Sequence, residues 1–189
     1  IGNYVSASSQ AHGGAIYNYG TIGDITGDFI GNNASSSSVN AYGGAIDNSS
    51  TGTIGNITGD FIGNCVSSFS SHTYASGGAI DNNGTIGTQD ETGTLTGGIY
   101  GSFINNHAET TSTSSLALGG AIYTSKDMNF IANNQTIYFS GNYTTDPTRG
   151  KIPNAIFVET TSYSQPTIQL IAQNNGTIIF NDQIDGGRV

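Results

Sequence analysis

The chain has 189 residues, enough for one domain with a real core. Only 9% of them are charged, 28 are Gly, and the formal net charge is -9. The four cations, Lys126, Arg149, Lys151 and Arg188, cannot supply the basic cluster that a phosphate backbone or an anionic bilayer requires, which sets nucleic acid and membrane surfaces aside as partners.

The opening Ile1-Gly2-Asn3 matches the tail of Phe29-Ile30-Gly31-Asn32, so the sequence reads as starting in mid-repeat. The tetrapeptide Gly-Gly-Ala-Ile then begins at Gly13, Gly43, Gly77 and Gly119, at steps of 30, 34 and 42. Each copy is followed by Phe-x-x-Asn, at Phe29 to Asn32, Phe61 to Asn64, Phe103 to Asn106 and Phe139 to Asn142. Ordered motif pairs recurring every few tens of residues mark a solenoid or another repeat array.

Within a repeat, Ile22, Ile25 and Phe29 have helical spacing. Gly23, Gly27 and Gly31 interrupt that stretch, each at a cost of about 1 kcal/mol to a helix interior. Short β-branched and aromatic pieces between Gly and Asn corners predict brief strands instead. Ala15 and Ile16 start one side of a coil, Ile22 with Ile25 forms a second, Phe29 and Ile30 enter a third, and Asn32 turns the corner. Successive turns stack about 4.8 Å apart. Ile16, Ile46, Ile80 and Ile122 then form one column, and Phe29, Phe61, Phe103 and Phe139 another. The paired glycines Gly13 and Gly14, Gly43 and Gly44, Gly77 and Gly78, Gly119 and Gly120 allow close backbone approach at a corner. Asn32, Asn64, Asn106 and Asn142 are expected to stack as an amide ladder. The predicted fold is all-β: a single-stranded parallel β-helix of about five to seven turns.

The Ser-rich spacers 33–42 and 65–76 and an insertion at 88–98 vary in length and are expected to be loops. The motif repeats occupy 1–142. From 143 to 189 the alternation is cleaner, with Ile168, Leu170, Ile178 and Phe180 in longer strands, and this stretch reads as further turns of the same helix. A β-propeller would need longer alternating runs and hairpin turns.

Candidates for chemistry are few. Asp28 and Asp60 fall in register on successive turns, with Asp24 nearby, and two stacked carboxylates are a weak candidate for Ca²⁺. Solvent-facing Asp beside a Gly turn is the preferred reading of them. Arg149 and Lys151 lie in a turn-rich stretch and read as solvated charges. His12, His72 and His107 occupy slots that vary between repeats and read as surface. Cys65 has no Cys partner and reads as a small filler or free thiol. Tyr17, Tyr42, Tyr74, Tyr100, Tyr123, Tyr138, Tyr143 and Tyr163 read as strand-surface fillers, or as faces for sugars and partners. No cofactor is implied, and no catalytic cluster converges.

Gly-Gly-Ala-Ile paired with Phe-x-x-Asn, together with the closing Asn-Gly-Thr-Ile-Ile-Phe-Asn-Asp-Gln-Ile-Asp-Gly of Asn175 to Gly186, resembles the passengers of chlamydial polymorphic membrane proteins and related autotransporters. The resemblance covers nearly the whole chain. It implies a right-handed parallel β-helix, displayed on the bacterial surface through an outer-membrane barrel that is not part of this sequence. It also implies adhesion to a host-cell receptor or surface glycan, with both motifs involved, and self-association through the helix ends. On this reading the chain is a non-enzymatic adhesin or display stalk whose spacer loops bind. The alternatives are a polysaccharide-active β-helix lyase or hydrolase and a self-assembling fibre element.

Overall fold

Strands of two to four residues with glycine at their corners are too short for a hairpin ladder. They pair instead with their own equivalents one repeat later. In the computed structural model, which describes residues 1–187, this produces six columns of strands around one axis. Arg188 and Val189, at the end of the 143–189 region, lie outside the described residues. One full turn runs through Asn33–Ser36, Ala41–Tyr42, Ile46–Asn48, Thr53–Ile54, Ile57–Thr58 and Phe61–Ile62. Each of these pairs in parallel with the turns on either side, and the molecule is a parallel β-helix.

The expected columns are present. Ile16, Ile46, Ile80, Ile122, Ile156 and Ile184 lie in register. Phe29, Phe61, Phe103, Phe139 and Phe180 stack with ring centroids 4.9, 4.7, 5.1 and 4.1 Å apart. Offset stacking adds about 0.5–1.5 kcal/mol per pair to the area these rings bury. The asparagine ladder is also present. The Oδ1 of Asn64 accepts both the backbone N–H and the Nδ2 of Asn32, at 2.9 and 2.8 Å. Asn64 in turn donates Nδ2 to Phe29 O and to Asn106 Oδ1. Asn3 continues the ladder downward, in the slot expected from its match to Asn32. Asp182 closes it above by accepting from Asn142.

The coil is not three-sided. Ile22 and Ile25 fall in different sheets, and the spacers contribute two more. Most of each spacer is scaffold: Ala34, Ser36, Ala41, Val66, Ser68 and Ala75 are fully buried. Ala11, Ala34, Ala41, Val66, Ala75, Ala108 and Ala117 form a second, small-residue core beside the main Ile and Phe core. Side chains this small give little hydrophobic signal, and the flanking Ser made the segments look like linkers. Only the tips, such as 37–39, are exposed. The insertion at 88–98 is largely an exposed loop, as expected, and the Thr21–Ile22, Thr53–Ile54, Thr85–Ile86 sheet ends below it.

The paired glycines make the waist between the two cores. The first of each pair has positive φ, from 49° to 68°. At the second, the walls touch backbone to backbone. A Cβ on Gly44 would lie 2.0 Å from the carbonyl oxygen of Gly78 and 2.4 Å from that of Cys65. The small-residue lobe ends at an antiparallel hairpin of Tyr143–Asp146 and Gly150–Pro153. Arg149 is not simply solvated, as the sequence reading had it. Its Nε donates to the buried Asp146 Oδ2 at 2.5 Å, and an Nη2 reaches Ala117 O. Above the hairpin the chain continues around the main core, with longer strands at Ile168–Gln173 and Thr177–Phe180.

Replacing Gly44 with Ala is expected to destabilise by more than about 4 kcal/mol, because backbone must move. Gly63→Ala, with open space but φ of 62°, should cost only about 1–2 kcal/mol. Asn64→Ala takes the partner from two buried N–H donors of Asn32 and from the carbonyl oxygen of Phe29, while Asn106 Oδ1 keeps the backbone N–H of residue 64, and should cost at least about 3 kcal/mol. Urea unfolding midpoints of the three variants test this order.

Candidate functional site

A waist inside the coil is a groove outside it. The residue before each glycine pair and the residue after each Ala-Ile face each other across that groove. One wall carries His12, Tyr42, Ser76 and Leu118 in register. The other carries Tyr17, Asp47, Asp81, Tyr123 and Phe157. Between them lie two adjoining cavities of about 290 and 420 Å³, which share Tyr42 and Asn83.

The lower part of the groove is an aromatic stack. The His12 ring lies 4.2 Å from Tyr17 and 5.1 Å from Tyr42, nearly parallel to both. Its Nδ1 is 2.6 Å from Asp47 Oδ2. Tyr17 also donates its hydroxyl to that of Tyr19. In the middle, Asp81 is fully buried and accepts from Ser76 Oγ and from Asn83 Nδ2. Higher up, Tyr123 donates to Glu159 Oε2 at 2.5 Å, and its ring packs with Leu118 and Phe157. Tyr74 and Asn40 complete the rim, and Asn40 Nδ2 donates to the Tyr42 hydroxyl.

Burial dominates the electrostatics. It raises the Asp47 carboxyl, against the pull of His12. It raises Asp81 further, helped by the charge of Asp47 one turn below. The Tyr42 and Tyr123 hydroxyls are also pushed up by burial, so they stay neutral and present hydrogen-bonding groups. Both Asp side chains are nearly inaccessible and already bonded within the protein. The accessible elements include aromatic faces, the Asn40 and Asn83 amides, Glu159 and Lys126.

Sequence reading missed the site because it assigned its residues one at a time. His12 is a half-buried, stacked and hydrogen-bonded wall residue rather than a free surface group. Tyr17, Tyr42, Tyr74 and Tyr123 converge, joined by Tyr19. The signal was legible: Tyr, Asp, Asp and Tyr follow the four Ala-Ile pairs directly. Asp28 and Asp60 lie elsewhere, in the expected register. Asp28 Oδ1 accepts the Asp60 N–H at 2.9 Å, and Asp60 Oδ1 accepts the Ser102 N–H at 2.7 Å. Asp24 and Asn56 repeat the pattern at the next corner, each bonding the backbone one turn up. These side chains tie corners together along the axis. Cys65 is buried, as a filler would be, but His107 beside it is a half-buried strand residue stacked on Tyr143 rather than a free surface group.

Comparison with protein-family models, curated proteins and solved structures finds no match.

A buried carboxyl with a raised pKa contributes most stability below its ordinary value of 3.8, and that contribution is lost as pH climbs through the raised value. Asp81→Asn removes this loss. Relative to the parent chain, its melting temperature is expected to gain several degrees between about pH 4 and about pH 8. Parallel melting curves for the two proteins across that range would exclude Asp81 as the titrating group.

Proposed function

We propose that this chain is a surface-displayed bacterial passenger segment that works as an adhesin, with the waist groove rather than the spacer loops as its binding face. The resemblance of its two motifs to autotransporter passengers supplies the surface location and the host-cell partner. The observation that carries the binding role is the groove itself. Five tyrosines and a histidine line a trough along the axis, while its two innermost carboxylates are already bonded within the protein. Aromatic faces stack on sugar rings, and neutral hydroxyls and amides bond their rims.

Charge narrows the ligand. Glu159 in the groove, on a chain of net charge -9, disfavours polyuronates, with Lys126 beside the lower cavity as an opposing charge. A neutral glycan fits better. The same charge weighs against a lyase acting on acidic polymers, and the burial of Asp81 weighs against a hydrolytic carboxylate pair.

Beads carrying the chain are expected to attach to epithelial cells and to immobilised neutral glycans. Tyr42→Ala combined with Tyr74→Ala should weaken attachment about tenfold or more. Shortening the 88–98 loop should leave it unchanged. Full attachment by the double variant would remove the groove from the function. Release of reducing ends from the glycan would instead favour the hydrolase.

A further inference from the structure

On the sheet that begins each spacer, Asn33, Cys65, His107 and Tyr143 form one column, and Ser67 and Glu109 stand in register two residues further on. Val66 and Ala108 between them point into the small-residue core, so by strand alternation Cys65, Ser67, His107 and Glu109 share the opposite face. One ligand atom each from Cys65, His107 and Glu109 falls within 4.8 Å of the other two. A thiol, an imidazole and a carboxylate brought together from two turns are three different metal-binding groups at one point.

We propose that Cys65, His107 and Glu109 form a zinc site that clasps two successive turns of the β-helix. The donor set selects the ion. Sulfur and nitrogen ligands suit Zn²⁺ and disfavour Ca²⁺ and Mg²⁺, which prefer oxygen. Tetrahedral bonds of about 2.0–2.3 Å place ligand atoms roughly 3.3–3.7 Å apart. Closing from separations of up to 4.8 Å takes about 1 Å of ligand-atom movement. Supporting groups are in place. Ser67 Oγ donates to Glu109 Oε1 at 3.0 Å and lies 3.4 Å from Cys65 Sγ, which orients both. The Tyr143 ring stacks on His107 with centroids 5.0 Å apart and holds the imidazole plane. In the turn below, the buried Oδ1 of Asn33 has no hydrogen-bond partner and is a candidate for the fourth position, with water as the alternative. Binding converts the Cys65 thiol to a zinc-bound thiolate and releases its proton to solvent. His107 and Glu109 are half-buried, which gives the ion a path in. The site is independent of the groove and of the adhesin reading.

The test uses the whole chain, stripped with chelator and titrated with Zn²⁺ against a chromophoric competitor. Expected are one ion per chain, micromolar affinity or tighter, a proton released on binding, and a higher melting temperature. Cys65→Ser, His107→Ala and Glu109→Gln should each weaken Zn²⁺ by at least about tenfold, and Ser67→Ala by about 10–100-fold. His72→Asn, at an exposed loop position, should bind as the parent chain does. Co²⁺ gives a readout that needs no variant. Thiolate-to-cobalt charge-transfer absorption with tetrahedral ligand-field bands supports the site, and its absence overturns it. Zinc affinity that is unchanged in Cys65→Ser, or weaker than micromolar in the parent chain, also overturns it.

Discussion

Backbone contact across the waist is the constraint on which the rest depends. At Gly14, Gly44, Gly78 and Gly120 one wall of the coil rests on the other with no side chain between, and a Cβ there would sit 2.4 to 2.7 Å from the backbone of Asn33, Cys65, His107 or Tyr143 across the waist. That contact divides the interior. On one side, large residues fill a wide core of Ile and Phe. On the other, space remains only for Ala and Val. The groove on the outer surface is the same pinch seen from solvent. Core partition, groove and repeat motif are therefore one feature.

Polar order along the axis complements this packing. Uniform apolar columns would stabilise neighbouring turns whether or not the corners were aligned. Buried amides are less tolerant, because each must find its partner one turn away or lose its hydrogen bonds. Asn32, Asn64, Asn106 and Asn142 fix one corner in this way. A second amide column, Asn18, Asn48 and Asn82, fixes another and ends on the hydroxyl of Thr124. With only 9% charged residues, the chain takes its specificity from amides and hydroxyls rather than from ion pairs.

Much of the scaffold was legible because identical large residues recur at identical places. Phe29, Phe61 and Phe103 announce a column, and a column announces a coil. The Ala lobe was not legible. Ala34, Ser36 and Ala41 lie in a serine-rich stretch, and their burial depends on the opposite wall being near, which no local pattern records. Asp47 and Asp81 were hidden differently. A carboxylate in a repeat reads as solvent-facing, yet the waist folds these two inward against His12 and Ser76. The Asn18 column, by contrast, follows the first three Ala-Ile pairs at a fixed offset and stood in plain view.

The amide column at the Phe corner also has a direction. Among themselves its members give N–H groups to the turn above and take them from the turn below. Asp182 takes both donations from Asn142, but its carboxylate has no hydrogen to pass on. A level laid over this corner meets a carboxylate where the lower levels offer an amide donor, and only the Asp182 backbone N–H is left to give. An acid in the amide column thus removes the side-chain donor at that level and weakens the hydrogen-bond polarity of this one edge.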